Sequence, residues 1–396
     1  MADEPVAATR APAPEAVAAV GRAPTHAQAS TQAAGLSQQT RSRVLFAVFV
    51  AALVLYPLVD RGLGIGRMGS MNPILIFMLL ALGLNIVVGF AGLLDLGYAA
   101  FFAIGGYTVA FLTAPQSPLV ARGVVVDYWI ALPISFVVAA VFGLILGAPT
   151  LRLRGDYLAI VTLAFGEIVP QAIRNLESIT NGTKGMNPIG RPTFGSVELL
   201  ASDQVPWYYL ILAVSAFSVF IIVRLRDSRL GRAWMAMRED EIAAASMGIN
   251  LTKTKLLAFA LGASFSGFGG ALYASMLQYI GPDQFDFSIS IILLAMIIMG
   301  GIGNIWGVMF GAIVLGAFNF ILVDSLSGWL KTTSAVLGMP FLAQIDLVNA
   351  KLFIFGLALV LMMLLRPEGI FPSAQRRAEM RQGRARPGLS SNGVKA

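Results

Sequence analysis

Apolar residues in this chain form long continuous runs instead of alternating with polar ones. The runs reach about twenty residues, the length of an α-helix that crosses the ~30 Å hydrocarbon core of a bilayer. A transmembrane β-barrel is not favoured, because its strands are short alternating segments. The pattern predicts an all-α, polytopic transmembrane helical bundle of about ten segments. The predicted segments are 44–58, 72–90, 98–112, 128–146, 157–173, 207–223, 256–279, 287–299, 305–323 and 352–365.

Two predicted segments, 98–112 and 287–299, are short. The first contains Gly105-Gly106, so a break there is an alternative to a full span. Segments two to five and seven to ten match in number and order, as two inverted repeats would, although the similarity of their residues is weak.

Small residues recur every four positions in two late segments, a spacing that lets helix backbones approach closely in lipid. We interpret this spacing as packing within the chain, with a dimerisation face as the alternative. The positions are Ala258, Gly262, Ser266, Gly270 and Ala274, followed by Gly303, Gly307 and Gly311.

Polar residues divide the chain into regions. Residues 1–42 are rich in Ala, Pro, Gln, Thr and Ser, which predicts a disordered cytoplasmic tail. A transmembrane domain is predicted over 43–372, followed by a basic cytoplasmic tail over 373–396. Within the domain, 174–206 is a predicted extracytoplasmic loop, and 224–255 is a long polar insertion. No cleavable signal peptide is evident at the start, since no basic region is followed directly by an apolar stretch.

Composition and charge support this architecture and orient it. The chain is 57% hydrophobic and 12% charged, with a formal net charge of +7. With both termini in the cytoplasm and ten crossings, twenty of the 28 Lys and Arg residues fall on the cytoplasmic side, as positively charged loops do. The positive charge is therefore interpreted as topological, and nucleic acid is not an expected partner.

The residue inventory excludes several chemistries. The chain has no cysteine and a single histidine, His26 in the N-terminal tail, so neither a His-based catalytic triad nor a Cys/His metal site is expected. A phosphate-binding loop needs a Gly-Lys pair, and the sequence contains none. We expect no catalytic residues and no cofactor in this chain. Any ATP that drives it must be hydrolysed by another chain.

Polar side chains inside apolar segments are candidate pathway or gating residues, because such groups are costly in a bilayer. Glu167 is the clearest, and its alternative is a structural carboxyl that is protonated or bonded to neighbouring helices. The others either line a polar route or form hydrogen bonds between helices, and the sequence leaves this open. They are Asn85, Tyr107, Gln278 and Asn319.

The polar insertion predicts one or two short helices between Leu230 and Met247. Glu239 or Asp240 is placed to begin the second, where an acidic residue favours the helix dipole. Gly248 is placed to end it, and Asn250 to begin the following turn. Such a helix can lie in a groove of another protein, whereas the alternative is a solvated basic loop that only fixes topology.

Several motifs in order resemble the permeases of branched-chain amino acid ABC importers, in particular LivM-type subunits. Residues 231–250 are similar to the cytoplasmic EAA-type loop of such permeases. Residues 151–163, 165–168, 300–304 and 366–372 match other stretches of the family. The resemblance implies an ATPase-coupling loop whose candidate residues are Gly231, Arg232, Arg238, Glu239, Asp240, Glu241, Ala244 and Gly248.

The resemblance also implies partners and a task. It implies a heterodimer with a sibling permease, two cytoplasmic ATPase subunits and a periplasmic or extracytoplasmic substrate-binding protein in a bacterial cytoplasmic (inner) membrane. The expected substrates are Leu, Ile or Val, moved by alternating access. Urea or short amides are alternative substrates, and a secondary transporter or channel that needs no ATPase is the alternative class.

Overall fold

The computed structural model describes residues 49–64, 66–150, 156–195 and 197–337, with single helical positions at 353, 356, 357, 360 and 364. The predicted terminal tails 1–42 and 373–396 lie outside the described residues, and so does most of the predicted segment 352–365. The chain divides into two compact units between Gly62 and Leu63. A helix over residues 49–63, here α1, lies in the first unit except for its last residue.

The described part of the second unit is almost entirely helical, as predicted. A two-stranded antiparallel sheet pairs Thr193–Phe194 with Val197–Glu198. The α-helices are α2 Met68–Leu84, α3 Tyr98–Thr113, α4 Tyr128–Thr150, α5 Asp156–Asn175, α6 Glu177–Thr180, α7 Gln204–Asp227, α8 Arg229–Glu239, α9 Glu241–Ser246, α10 Leu251–Leu277, α11 Phe287–Gly300, α12 Ile305–Ala317 and α13 Val323–Leu337. Two π-helical segments, Asn85–Phe90 and Phe318–Leu322, extend α2 and α12.

Among the described residues, seven helices are long and apolar enough to cross a membrane, and α3 is a shorter apolar helix. The chain is therefore a multi-pass membrane protein. Several predicted boundaries move. α2 begins at Met68, one turn before the predicted Asn72-Pro73 start, so Pro73 lies inside the helix. Residues 324–337, which follow the predicted segment 305–323 and lay outside it, continue the helix.

The core of the bundle is an antiparallel pair formed by α2 and α10. α2 is apolar on all sides and almost completely buried, as a central helix must be. Gly262 and Gly269 of α10 pack against Val87 and Leu80 of this helical run, and a Cβ at either glycine would clash there. α4 runs antiparallel along another side of α10, with Gly143 against Ala263 and Gly267 against Ser135.

The four-residue spacing of small residues serves packing within the chain, as interpreted from the sequence. All five of the α10 positions are buried. A Cβ at Gly270 would collide with the backbone of α3 at Phe102, and one at Gly311 would lie 2.7 Å from the Gly300 nitrogen. These glycines let α3 and α11 approach their neighbours at backbone distance.

α3 and α11 both begin inside the bundle. The Tyr98 hydroxyl at the start of α3 donates to the Gly262 carbonyl, 2.8 Å away and eleven residues into α10. At the start of α11, the Ser290 hydroxyl accepts from the Ala99 backbone N–H at 3.1 Å. The N-terminal turns of two broken helices thus meet in the interior. The alternative of a break at Gly105-Gly106 is wrong, since α3 is continuous there and the irregular segment comes before Tyr98.

Contacts between neighbours give the helix directions. α2 and α7 run parallel, because Asn72 donates to Gln204 near the start of both helices. α8 and α9 connect the end of α7 to the start of α10, and they define what is called here the coupling end of the bundle. At the opposite end, α6 and the sheet occupy the predicted loop 174–206, and an Arg174–Asp283 ion pair of 2.9 Å joins α5 to the segment before α11.

Candidate functional site

The polar insertion folds into two short helices, α8 and α9, as predicted. Ser228 caps α8 by accepting a hydrogen bond from the Gly231 backbone N–H. Gly231 is buried where a Cβ would collide with the Arg226 carbonyl oxygen, so the tight turn between α7 and α8 requires glycine. The two ends of the insertion belong to the neighbouring long helices, since residues 224–227 end α7 and residues 251–255 begin α10.

α8 is anchored to the base of α10 by Trp234. The indole is fully buried, and its N–H donates to the Thr254 carbonyl at 2.7 Å. Gly231 and Met237, three residues to either side, are buried on the same face, which is the helical spacing expected of a packed side. Trp234 was not among the predicted residues of the insertion, although its position between these two residues is a periodic signal.

α9 has the predicted beginning and end. The Asp240 carboxylate accepts from the Ile242 and Ala243 backbone N–H groups at 2.8 and 3.0 Å, the hydrogen bonds of an N-cap. Gly248, with φ of +85°, follows the helix in the left-handed region that glycine adopts freely. Asn250 caps the next helix, since its side chain accepts from the Lys253 N–H.

An ion pair fixes the first residue of α9 to the first turn of α10. Lys255 Nζ lies 2.7 Å from Glu241 Oε1, and the Lys255 side chain is only 7% exposed. The pair links an otherwise short helix to a long one, which gives the α8–α9 unit a rigid base. Lys255 was counted in the sequence only as a topological charge, because nothing in the spacing of fourteen residues identifies Glu241 as its partner.

The outer side of α9 is exposed and partly apolar. Ile242 is 73% and Met247 84% exposed, and Glu239 and Asp240 are exposed beside them. We call these four residues the docking face. Ala244 is the buried residue of this helix and turns inward. Large exposed apolar side chains on a polar segment are a common feature of protein interaction sites.

Two of the three arginines of α8, Arg232 and Arg238, make contacts with different parts of the chain. Arg232 is exposed and donates to the carbonyl of Asp227, the last residue of α7, at 2.8 Å. Arg238 reaches back into the bundle, where its guanidinium donates to the Gly89 carbonyl. The insertion is therefore connected to the interior as well as to the surface.

Two of the candidate pathway residues lie in the π-helical segments. Asn85 is fully buried, and its side-chain oxygen accepts from the Gly303 backbone N–H at 3.0 Å. Asn319 is also buried, within the second π segment. The Asn85 contact joins its helix to the turn between α11 and α12, so the hydrogen-bonding interpretation fits Asn85 directly. A π segment leaves no pattern in the sequence from which it could be predicted.

Tyr107 and Gln278 lie toward the opposite end. Gln278 terminates α10 in the left-handed conformation, donates to the Ser275 carbonyl and accepts from Arg191. Tyr107 is buried with its ring 6.3 Å from that of Phe285. These contacts give Gln278 a structural role, because it ends α10. The five candidates are dispersed and do not form one site.

Glu167 lies on the outer face of α5, at its middle. The residue is exposed, and its exposed neighbours Ile160 and Ile168 are each 62% accessible. Within the described residues its carboxyl group makes no hydrogen bond or ion pair, so both interpretations of Glu167 stay predictions. Gln171, one turn further, extends an exposed polar stripe along the same face.

Comparisons with known proteins agree with this architecture. A family model described as branched-chain amino acid transport system, permease component, matches residues 68–363. The chain is similar to the high-affinity branched-chain amino acid transport system permease protein LivM of Salmonella typhimurium, with 36% identity over 86% of this chain and 77% of the relative. LivM of Escherichia coli K12 is 36% identical over 79% of this chain and 71% of the relative.

A second type of permease is also similar. LivH of Escherichia coli K12 is 26% identical over 61% of this chain and 79% of the relative. No solved structure matches the chain. Because the family model covers most of the sequence and the LivM relatives exceed 30% identity across it, the chain belongs to the permease component family of branched-chain amino acid transport systems.

Proposed function

We propose that this chain is one of two permease subunits of an ATP-driven importer that takes up branched-chain amino acids across a bacterial cytoplasmic membrane. The observation that carries the proposal is the α8–α9 unit, a capped and ion-paired helix pair with an exposed apolar docking face. The relatives are called permeases of branched-chain amino acid transport systems, which supports the substrate class.

The ATPase contact is assigned to the docking face. Ile242 and Met247 are exposed on a segment that belongs at the aqueous end of the bundle, so a partner that covers them gains apolar burial. The acidic Glu239 and Asp240 beside them favour a basic rim on that partner. A cytoplasmic ATPase subunit, which this chain requires because it has no phosphate-binding loop of its own, fits this role, and the chain itself is not an enzyme.

The proposed topology has ten segments with both termini in the cytoplasm. The long described helices from α2 to α12 alternate in direction, and α8–α9 follows α7 at one end. Six proposed segments precede α8–α9, and an even number of crossings returns the chain to the side of its N-terminus. The arginines in the loop before α5 and in both tails then share that side with α8–α9. An extracytoplasmic binding protein is assigned to the opposite end, near α6 and the two-stranded sheet.

Two inverted repeats are proposed, the first from α2 to α5 and the second from α10 onward. In each, a long helix is followed by an irregular segment and by a shorter helix that starts inside the bundle, α3 or α11. The long helices α2 and α10 are antiparallel. Inverted repeats with broken helices at corresponding positions recur among transporters.

The α5 stripe is proposed to face a sibling permease and to line the shared route. Glu167 is the twelfth residue of a twenty-residue membrane helix and is exposed in the isolated chain. A carboxylate placed against lipid at that depth costs about 3 kcal/mol even on the lower scales. Contact with a second subunit across an aqueous path removes that cost.

Alternating access then follows when ATPase closure displaces α8–α9 and the helices attached to it.

The test is transport by the complete complex. The chain is co-expressed with the permease, ATPase and binding protein encoded beside it and reconstituted in liposomes. Uptake of labelled leucine that depends on ATP and on the binding protein supports the proposal. Preferential uptake of urea or acetamide would replace the substrate class, and uptake by this chain alone without ATPase subunits would refute the assignment in favour of a secondary transporter or channel.

A further inference from the structure

Arg238 connects three elements at the coupling end. It is the penultimate residue of α8, and its guanidinium donates to the carbonyl of Gly89 in the π segment that ends α2. The same Nη1 lies 3.2 Å from where a Cβ on Gly303 would stand, in the turn between α11 and α12. One side chain thus contacts the coupling unit, the central helix and a second helix turn.

Arg238 as a whole is exposed, and its stem packs against one glycine. Gly92, at the start of the irregular segment before α3, has φ of +71°. A Cβ on Gly92 would lie 2.7 Å from Arg238 Cγ and 3.2 Å from Arg238 Cβ. Glycine is therefore required there both by its backbone conformation and by the arginine packed on it. Displacement of α8 must carry this segment with it or break the contact.

The contact is also electrostatically favourable. Gly89 belongs to the last turn of a long helix, where unsatisfied carbonyl groups carry partial negative charge. A guanidinium that donates to such a carbonyl makes a charge-assisted hydrogen bond, which is shorter and stronger than a neutral one. Asn85, in the same π segment, receives the Gly303 N–H at 3.0 Å and ties this helix end to the α11–α12 turn.

We propose that Arg238 is the positioning residue through which movement of α8–α9 is transmitted to the π-helical end of α2 and to the α11–α12 turn. The proposal rests on the proposed function, since it presumes that an ATPase subunit displaces the docking face. When α8 moves, Arg238 makes the irregular segment before α3 and the α11–α12 turn move with it. The irregular segment adjoins α3 and the turn adjoins α11, the two helices that begin inside the bundle. π segments are often located at functional sites, and here one ends at the connecting carbonyl.

The test compares Arg238→Ala with Arg229→Ala, an exposed arginine at the start of the same helix, in the reconstituted complex. The measured quantity is ATP hydrolysed per leucine imported. Arg238→Ala is expected to raise this ratio about tenfold, the effect of losing one charge-assisted hydrogen bond, with basal ATPase activity and complex assembly retained. Arg229→Ala is expected to leave the ratio unchanged. An unaltered ratio in Arg238→Ala overturns the proposal.

A distance measurement separates transmission from simple stabilisation. The chain has no cysteine, so spin labels at Ser246→Cys and Leu94→Cys, both exposed, report on α9 and the segment before α3 without further substitution. Their separation is expected to stay constant between nucleotide-free and ATP-trapped states and to change between them once Arg238→Ala is added. A separation that stays constant in the Ala variant refutes the coupling.

Two further outcomes have fixed meanings. If Arg238→Ala fails to assemble, Arg238→Lys is used, which keeps the stem against Gly92 and one donor, and an intermediate ratio is expected. A ratio equal to that of the wild type in both Arg238→Lys and Arg238→Met counts against the proposal. Failure of the proposed function is recognised separately, because the unsubstituted complex then takes up no leucine.

Discussion

Glu241→Gln removes the negative charge of the ion pair that fixes α9 to α10 and keeps the shape of the side chain. Lys255 would then remain only 7% exposed without its 2.7 Å carboxylate partner. The rest of the unit is unaltered, since Trp234 still anchors α8 and Asp240 still caps α9. The substitution therefore tests whether the ion pair keeps α9 docked.

The size of the effect follows from the distance and the burial. Two unit charges 2.7 Å apart attract by about 6 kcal/mol at an effective dielectric constant of about 20. Desolvation of the lysine offsets part of this attraction, and breaking a buried pair by removing one partner costs about 3–5 kcal/mol. Glu241 retains 29% exposure, so we expect the lower end of that range, about 3 kcal/mol. The docking equilibrium of α9 then shifts by about a hundredfold.

Hydrogen exchange in the reconstituted complex measures this shift. The amides of α9 are expected to exchange about a hundredfold faster in Glu241→Gln, while those of α2 and α10 keep their protection because the core is untouched. ATP-driven leucine uptake is expected to fall, with membrane insertion unaffected. The matched control adds Lys255→Met, which removes the stranded charge and should restore α9 protection, since an apolar replacement of a buried pair is often neutral. Unchanged exchange in the single variant would show that the ion pair does not hold α9.

Three other outcomes are expected. Met247→Glu, which places a charge on the docking face, should weaken co-purification of the ATPase subunits by about tenfold or more, whereas intact co-purification would remove this face from the contact. Glu167→Gln should lower uptake by about tenfold if the α5 stripe lines the route, with expression unchanged, and wild-type uptake would assign the residue no part in transport. Gly105→Ala, whose Cβ would collide with the backbone of Gly267, should destabilise the bundle by about 1–3 kcal/mol in thermal unfolding. Gly328→Ala, with open space around its Cβ position, should leave the stability unchanged. Equal melting temperatures of the two variants would contradict the close packing of α3 and α10.

Local patterns in the sequence were sufficient for much of the α8–α9 unit. Asp240 and Gly248 bound α9 as predicted, because a carboxylate that accepts two backbone N–H groups and a residue with positive φ depend only on the adjacent chain. The hydrophobic runs likewise predicted most of the long helices, since a bilayer requires about twenty apolar residues in sequence. Motif order identified the family.

Tertiary structure alone decided the contacts between residues distant in sequence. Nothing near Arg238 in the sequence indicates Gly89, 149 residues earlier, and nothing near Lys255 indicates Glu241 as its partner. The position of Glu167 on an exposed face depends on which sides of α5 its neighbours cover. The positions at which α3 and α11 begin inside the bundle also depend on tertiary structure, because the helices around them meet only after folding.

The sequence by itself determined the class of this protein, most of its described long helices and the beginning and end of α9, because each depends on the solubility or the backbone conformation of consecutive residues. Only the tertiary structure decided how that helix is connected to the bundle, because a hydrogen bond or an ion pair between separate helices depends on their packing. The packing in turn depends on glycines such as Gly262 and Gly270, whose effect is visible only when the facing backbone is in place.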